Sequence, residues 1–286
     1  MAENSFYYDG SLCIACRSCQ VACKQWNYLE GEKTTFFAAA GGYQNPSQLS
    51  PTTWTIVKFH EVQDGNRVGW LFRRHHCFHC AQAACIEVCP VEPKAMKRHA
   101  EYGTVYVDQD LCIGCGSCVE ACPFGVPHVN EKLEKSRKCT ACFDRVGNDL
   151  LTACAKTCPT QSIRYGPKQE MYALAGKRVK ELEAAGWKNA NIYGPDQLGG
   201  LHSIYVLLDK PEVYGLVVDP KIDLGKLEPI RRRGEERYAA RRQKGEECVA
   251  SLILGSPPIL AIGALALGVK RLGERKAEVS RKESER

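Results

Sequence analysis

The stretch Cys112-Ile-Gly-Cys115-Gly-Ser-Cys118-Val-Glu-Ala-Cys122-Pro123 constrains this chain more than any other. Three cysteines recur at every third position, a fourth comes four residues later, and a proline follows it. Gly114, Gly116 and Ser117 keep the loop small, and glycine tolerates the backbone angles and close approach needed to wrap three sulfurs round one body. This spacing binds a cubane 4Fe-4S cluster, and where there are two clusters the fourth cysteine ligates the neighbour. One such run therefore predicts a second centre.

Three further groups are present. Cys13, Cys16, Cys19 and Cys23 repeat the spacing, with Lys24 in place of the proline. Cys77, Cys80, Cys85 and Cys89, ahead of Pro90, carry two extra residues in the middle. Cys139, Cys142, Cys154 and Cys158, ahead of Pro159, carry eleven residues between the second and third. Only Cys248 of the 17 cysteines is left over, and it reads as a small apolar residue. Residues 1–10 have neither a basic nor an apolar leader region, so the cysteines are expected to meet metal before an oxidising compartment. Zinc could take four thiolates, but such sites use two C-x-x-C pairs separated by a longer loop, a pattern only group four approaches. His76 and His79 flank Cys77 and Cys80. A Rieske-type centre uses two histidines, but each group already has four cysteines, so the imidazoles read as hydrogen-bonding neighbours of the ligands.

The net charge of +6 lies wholly in residues 231–286, where 14 Lys and Arg stand against 8 Asp and Glu. The cysteine-rich head balances to zero and would become anionic with clusters of about −2 each, which argues against a nucleic-acid partner. Residues 54–62 and 67–75 read as two strands joined by a turn at Asp64-Gly65, and 104–107 as a short strand. Residues 168–185 read as an amphipathic helix with Met171, Leu174, Val179 and Leu182 on one side and Gly186 as its stop. Residues 203–208 read as a strand, 31–51 as a long loop, and 211–229 as a turn-rich segment draped over another surface. Residues 249–269 contain no charge, a length that suits a membrane-spanning helix. Pro257-Pro258 would kink it, and small residues at 251, 255, 264 and 268 would pack it against partner helices. Seven basic residues on each side leave its orientation undecided. The expected fold class is α+β. A four-cluster domain over 1–165 precedes a helix and extended arm over 166–230, then a charged linker, transmembrane helix and basic tail over 231–286. No phosphate loop or nucleophile motif marks a catalytic pocket.

The four groups, with Cys23-Lys-Gln-Trp-Asn27 and Lys138-Cys-Thr-Ala-Cys-Phe-Asp-Arg145, resemble the four-cluster iron–sulfur subunits of molybdopterin oxidoreductases. Residues 154–166, 168–183 and 193–223 resemble, in order and character, the post-cluster region of the beta subunit of membrane-bound formate dehydrogenase, which also has one C-terminal membrane helix. The resemblance implies four 4Fe-4S clusters and a nested pairing. Groups two and three form one ferredoxin-like module, and groups one and four form its pseudo-symmetric mate. Cys13, Cys16 and Cys19 would share a cluster with Cys158, and Cys139, Cys142 and Cys154 one with Cys23. In the other module Cys77, Cys80 and Cys85 would pair with Cys122, and Cys112, Cys115 and Cys118 with Cys89. Spacing alone permits this pairing without establishing it.

The resemblance also implies partners. Formate would be oxidised at a molybdenum or tungsten bis-pterin in a separate alpha subunit. Electrons would arrive near groups one and four and leave near groups two and three, toward a membrane cytochrome b or quinone-reducing gamma subunit. The head would stand on the periplasmic side of the cytoplasmic membrane with its C-terminal helix in the lipid bilayer. Nitrate-reducing relatives have tryptophan where this chain has Cys115 and hold a 3Fe-4S cluster there, so Cys115 implies 4Fe-4S at every site. Two readings compete: the iron–sulfur subunit of another molybdopterin oxidoreductase or hydrogenase complex, and a free polyferredoxin carrier, which would need neither the apolar tail nor the post-cluster arm.

Overall fold

The computed structural model describes residues 3–35, 43–64 and 67–254. It comprises two compact units, Met1–Glu235 and Glu236–Arg286. The first unit holds all four cysteine groups. Strand β1 (Asn4–Asp9) lies antiparallel to β8 (Ile163–Pro167) and parallel to β10 (Ser203–Leu207), which in turn pairs antiparallel with β9 (Asn191–Tyr193). The resulting sheet has the order β8-β1-β10-β9. Both of its faces are covered, so β1 and β10 are near-continuous apolar runs and show no alternation. Tyr7, Ile204 and Val206 meet Met171, Ala175 and Leu182 of helix α6 (Lys168–Ala184) on one face. Phe6, Tyr8, Tyr205 and Leu207 enter the main core on the other.

The expected hairpin is β2 (Ile56–Asp64) with β3 (Arg67–His75), in register from Ile56 opposite His75 to Asp64 opposite Arg67. Its connecting residues, 65–66, lie outside the described ones, as do residues 36–42 of the expected long loop. The first strand starts two residues later than expected, and the Trp54 indole N–H instead turns back to the Pro51 carbonyl at 2.8 Å. The Tyr8 hydroxyl donates to Phe72 O at 2.7 Å and that of Tyr205 to Arg74 O at 2.9 Å, which fastens β3 to the sheet. Helix α6 ends where expected, with Gly186 at a φ of 97°.

Short elements carry the cysteines. Helix α1 (Ser18–Trp26) packs on α5 (Ala153–Thr157), and α2 (Ala84–Glu87) packs on α3 (Ser117–Ala121). The hairpins β4 (Met96–Arg98) with β5 (Val105–Val107) and β6 (His128–Asn130) with β7 (Lys135–Arg137), and helix α4 (Phe143–Val146), fill the intervals. The arm beyond the clusters is woven into the head: β8 straddles residues 165 and 166, and β10 is central in the sheet.

Residues 211–229 are less turn-rich than expected. Pro211–Tyr214 forms a 3-10 turn and helix α7 (Leu224–Leu254) already begins six residues past Val218. Asp223 Oδ1 caps it by accepting from the Gly225 and Lys226 amides at 3.0 and 3.4 Å. Pro229 sits in its second turn and costs it one backbone hydrogen bond. Leu227 packs among Ala84, Val88 and Ala121, Ser117 Oγ donates to Ile230 O at 3.4 Å, and Arg233 pairs with Glu120 at 2.6 Å. Among the described residues no helix is long and apolar enough to cross a membrane. The expected span 249–269 lies, past Leu254, outside them, as does the side chain of Cys248.

Asp9, at the end of β1, is fully buried. One of its oxygens accepts from the Ser11 amide and hydroxyl at 2.9 and 2.5 Å, the other from the Tyr7 hydroxyl at 3.1 Å and Arg178 Nε at 2.9 Å. This ties α6 to the strand that delivers Cys13. Removing one partner of a buried ion pair costs about 3–5 kcal/mol, and Tyr7 and Ser11 would remain, so the low end applies. Arg178→Met should therefore lower Tm by about 6–12 °C, measured by thermal denaturation of the loaded protein. A drop below about 2 °C would show that Asp9 does not depend on this partner.

Candidate iron–sulfur centres

The four cysteine loops share one backbone turn. The residue two positions after the first cysteine is left-handed in each: Ala15 (φ 53°), His79 (48°), Gly114 (64°) and Ala141 (58°). The amides of His79, Gly114 and Ala141 thereby donate to the sulfurs of Cys77, Cys112 and Cys139, each at 3.4 Å. Such a conformation costs a residue with a Cβ about 1–2 kcal/mol, so glycine is a convenience here and three loops do without it. Gly114 has a second reason: a Cβ there would collide with the Glu134 carbonyl. Left-handed Arg17 and Gly116 then start α1 and α3, each bringing a third cysteine, Cys19 or Cys118, into the helix's first turn.

These turns gather the sulfurs into quartets. Cys13, Cys16 and Cys19 surround one cavity with Cys158, beside Tyr8, Val57 and Arg74. Cys77, Cys80 and Cys85 surround another with Cys122, beside Phe78, Val105 and Lys138. Cys112, Cys115 and Cys118 surround a third with Cys89, beside Val91, Ala95, Met96 and Val107. The remaining four, Cys23, Cys139, Cys142 and Cys154, are all buried, and the last three are the main electrostatic neighbours of Cys23.

The three cavities are alike in size, each about 20 Å³. Burial pushes the thiols of Cys19, Cys118, Cys139 and Cys142 up to about 12. Metal-free, they are protonated, and loading a thiolate-seeking metal must expel those protons. Donor type and number fit a multi-iron cluster.

Residues 12–93 and 68–168 each match the 4Fe-4S dicluster domain family. The formate dehydrogenase iron–sulfur subunit of Haemophilus influenzae is 43% identical over 219 residues, 76% of this chain and 69% of that one. The iron–sulfur subunit of the nitrate-inducible formate dehydrogenase of Escherichia coli is 41% identical over 242 residues, 82% and 81% of the two chains. The beta subunit of formate dehydrogenase 2 (cytochrome c-553) of Nitratidesulfovibrio vulgaris is 32% identical over 216 residues, 73% and 95%. This chain belongs to the formate dehydrogenase iron–sulfur subunits. It is an electron-transfer subunit of the 4Fe-4S type, with cysteines for four clusters.

Cysteine spacing did not reveal the side chains that lie between quartets. Arg74 Nη2 donates to Cys154 Sγ at 3.1 Å and its Nε to Thr55 Oγ1 at 3.1 Å, with the guanidinium 4.7 Å over the Phe6 ring. Lys138 Nζ donates to the carbonyls of Val105 and Cys139. The run Arg73-Arg74-His75-His76, on a strand that dives into the core, was the available signal. His79 Nδ1 accepts from the Val105 amide at 3.0 Å, which places its proton on Nε2. Ring nitrogens of His76 and His79 lie within 4.8 Å of each other and of Cys139 Sγ. Cys139 also neighbours Cys23, and both imidazoles stand beside it.

Gly114→Ala tests the shared turn where it is tightest. It should remove about a quarter of the iron, the share of one cluster in four, by colorimetric iron analysis of anaerobically purified protein. Full iron content in that variant would show that the loop does not need its approach to Glu134.

Proposed function

We propose that the chain conducts electrons from formate oxidation, at a molybdenum or tungsten bis-pterin in a separate catalytic subunit, to a cytochrome b or quinone-reducing partner in the membrane. The observation that carries this reading is the crossing of the fourth sulfurs. Each cavity draws three cysteines from one group and its last from another, as a line of neighbouring centres requires. The ligand sets are the four quartets, Cys13/Cys16/Cys19/Cys158, Cys23/Cys139/Cys142/Cys154, Cys77/Cys80/Cys85/Cys122 and Cys89/Cys112/Cys115/Cys118. Each bound cluster supplies a reversible one-electron centre. The chain's own residues hold it, exclude water and set its neighbours.

The surface supports a direction. Cys16 is exposed, and Ile14 and Val21 near it are 60% and 64% exposed, an apolar rim where a catalytic partner would cover the first quartet. Helix α7, which leads in sequence to the apolar residues 249–269, seats its first turns on α2 and α3, the helices of the last two quartets. Departure from the Cys89/Cys112/Cys115/Cys118 site follows. Residues 249–269 would form the single membrane span, with the head on the periplasmic face after export alongside the catalytic partner.

The complex purified from native membranes through a tag on this chain should reduce quinone with formate. Cys115→Trp should abolish that reaction while dye-linked formate oxidation persists. Undiminished quinone reduction in the variant would move the exit elsewhere, and a tagged chain that brings down no formate-oxidising partner would remove the assignment.

A further inference from the structure

We propose that Arg74 and Lys138 are potential-setting residues, buried cations placed at two successive junctions between cysteine quartets, easing reduction on both sides of each junction and leaving the Cys89/Cys112/Cys115/Cys118 site outside their reach. The inference rests on the quartets proposed above as ligand sets.

The geometry at each junction is specific. Arg74 is 1% exposed, lines the cavity of Cys13, Cys16, Cys19 and Cys158, and donates to the sulfur of Cys154 in the next quartet. Lys138 is 2% exposed, lines the cavity of Cys77, Cys80, Cys85 and Cys122, and its Nζ lies 3.2 Å from the carbonyl of Cys139, a member of that same middle quartet. Among the described residues neither cation has a carboxylate partner. A buried cation without a counter-charge is strongly disfavoured, and among the described residues these two face the sulfur quartets, which become anionic when a cluster binds. Arg74 Nη1 is a further buried donor with no partner.

The last quartet differs. Among the described residues no charged side chain lines its cavity, where Ser136 is the polar neighbour. Lys135 reaches the Cys112 carbonyl near it but is only half-buried, so solvent and salt screen its charge. A fixed positive charge favours the more negative, reduced form of a centre, and more so in a low-dielectric interior. The Cys23/Cys139/Cys142/Cys154 centre is flanked by both cations and is therefore held up by both.

The test is an EPR-monitored potentiometric titration of the complex purified from membranes, in wild type and in Arg74→Gln, Lys138→Gln, Arg74→Lys and Lys138→Arg. Each glutamine variant should lower the midpoints of two centres, by about tenfold in the reduction equilibrium or ~59 mV for one electron. One centre should respond to both variants and one to neither, and the charge-conserving variants should restore the wild-type values. A wild-type complex without four clusters would refute the quartets themselves. Four clusters with unmoved midpoints in both glutamine variants would refute this inference alone. Loss of iron from both glutamine variants would also overturn it, by making the cations assembly elements, and loss from one leaves the other to decide.

Discussion

Everything in the head follows from the fact that no cysteine group completes its own cavity. The third and fourth cysteines of each group lie four residues apart on or at the end of a short helix: Cys19 and Cys23 on α1, Cys85 and Cys89 on and after α2, Cys118 and Cys122 with α3, Cys154 and Cys158 with α5. Four residues of helix advance about 6 Å along one face, and Cys85 and Cys89, like Cys118 and Cys122, line different cavities. A second helix, packed on the first, carries the complementary pair. The four-residue interval thus sets the separation of neighbouring centres, and the pairs α1 with α5 and α2 with α3 give the molecule its repeated halves.

That arrangement commits the rest of the chain. Groups one and four stand far apart in sequence, and the sheet closes the distance by placing β1, which precedes the first group, between β8 and β10, which follow the last. The hydroxyls of Tyr8 and Tyr205 then hold β3, and with it Arg74, against the sheet. The interior carries left-handed backbone at Ala15, His79 and Ala141, buried thiols, and, at the junctions between quartets, Arg74 and Lys138, which among the described residues have no carboxylate partner. The thiols would ligate an anionic cluster, and its charge would answer that of the two cations.

Local chemistry was legible in the sequence, and long-range pairing was not. The cysteine loops, the β2–β3 hairpin, α6 and β10 each carry a signal within a few residues: spacing, alternation, or a glycine stop. β1 and β8 were missed because their partners lie far away in sequence and runs as short as theirs, with five buried residues in β1 and two in β8, look the same in many contexts. Pro229 drew attention away from Asp223, the cap that starts α7. Which fourth cysteine completes which quartet could not be read from spacing; the resemblance supplied the sets, and the same cysteines line the three cavities. The run Arg73-Arg74-His75-His76 marks charge on a buried strand, but nothing in a sequence marks a counter-charge that is a bound group, so neither Arg74 nor Lys138 could be assigned a role from spacing.

The most direct test of the crossed quartets is a crystal structure of the anaerobically purified complex with anomalous diffraction at the iron edge. Four compact iron peaks should appear, one bonded by Cys158 together with Cys13, Cys16 and Cys19, and one by Cys23 together with Cys139, Cys142 and Cys154. Iron enclosed by the four cysteines of a single group, or a single zinc in each cavity, would contradict the account.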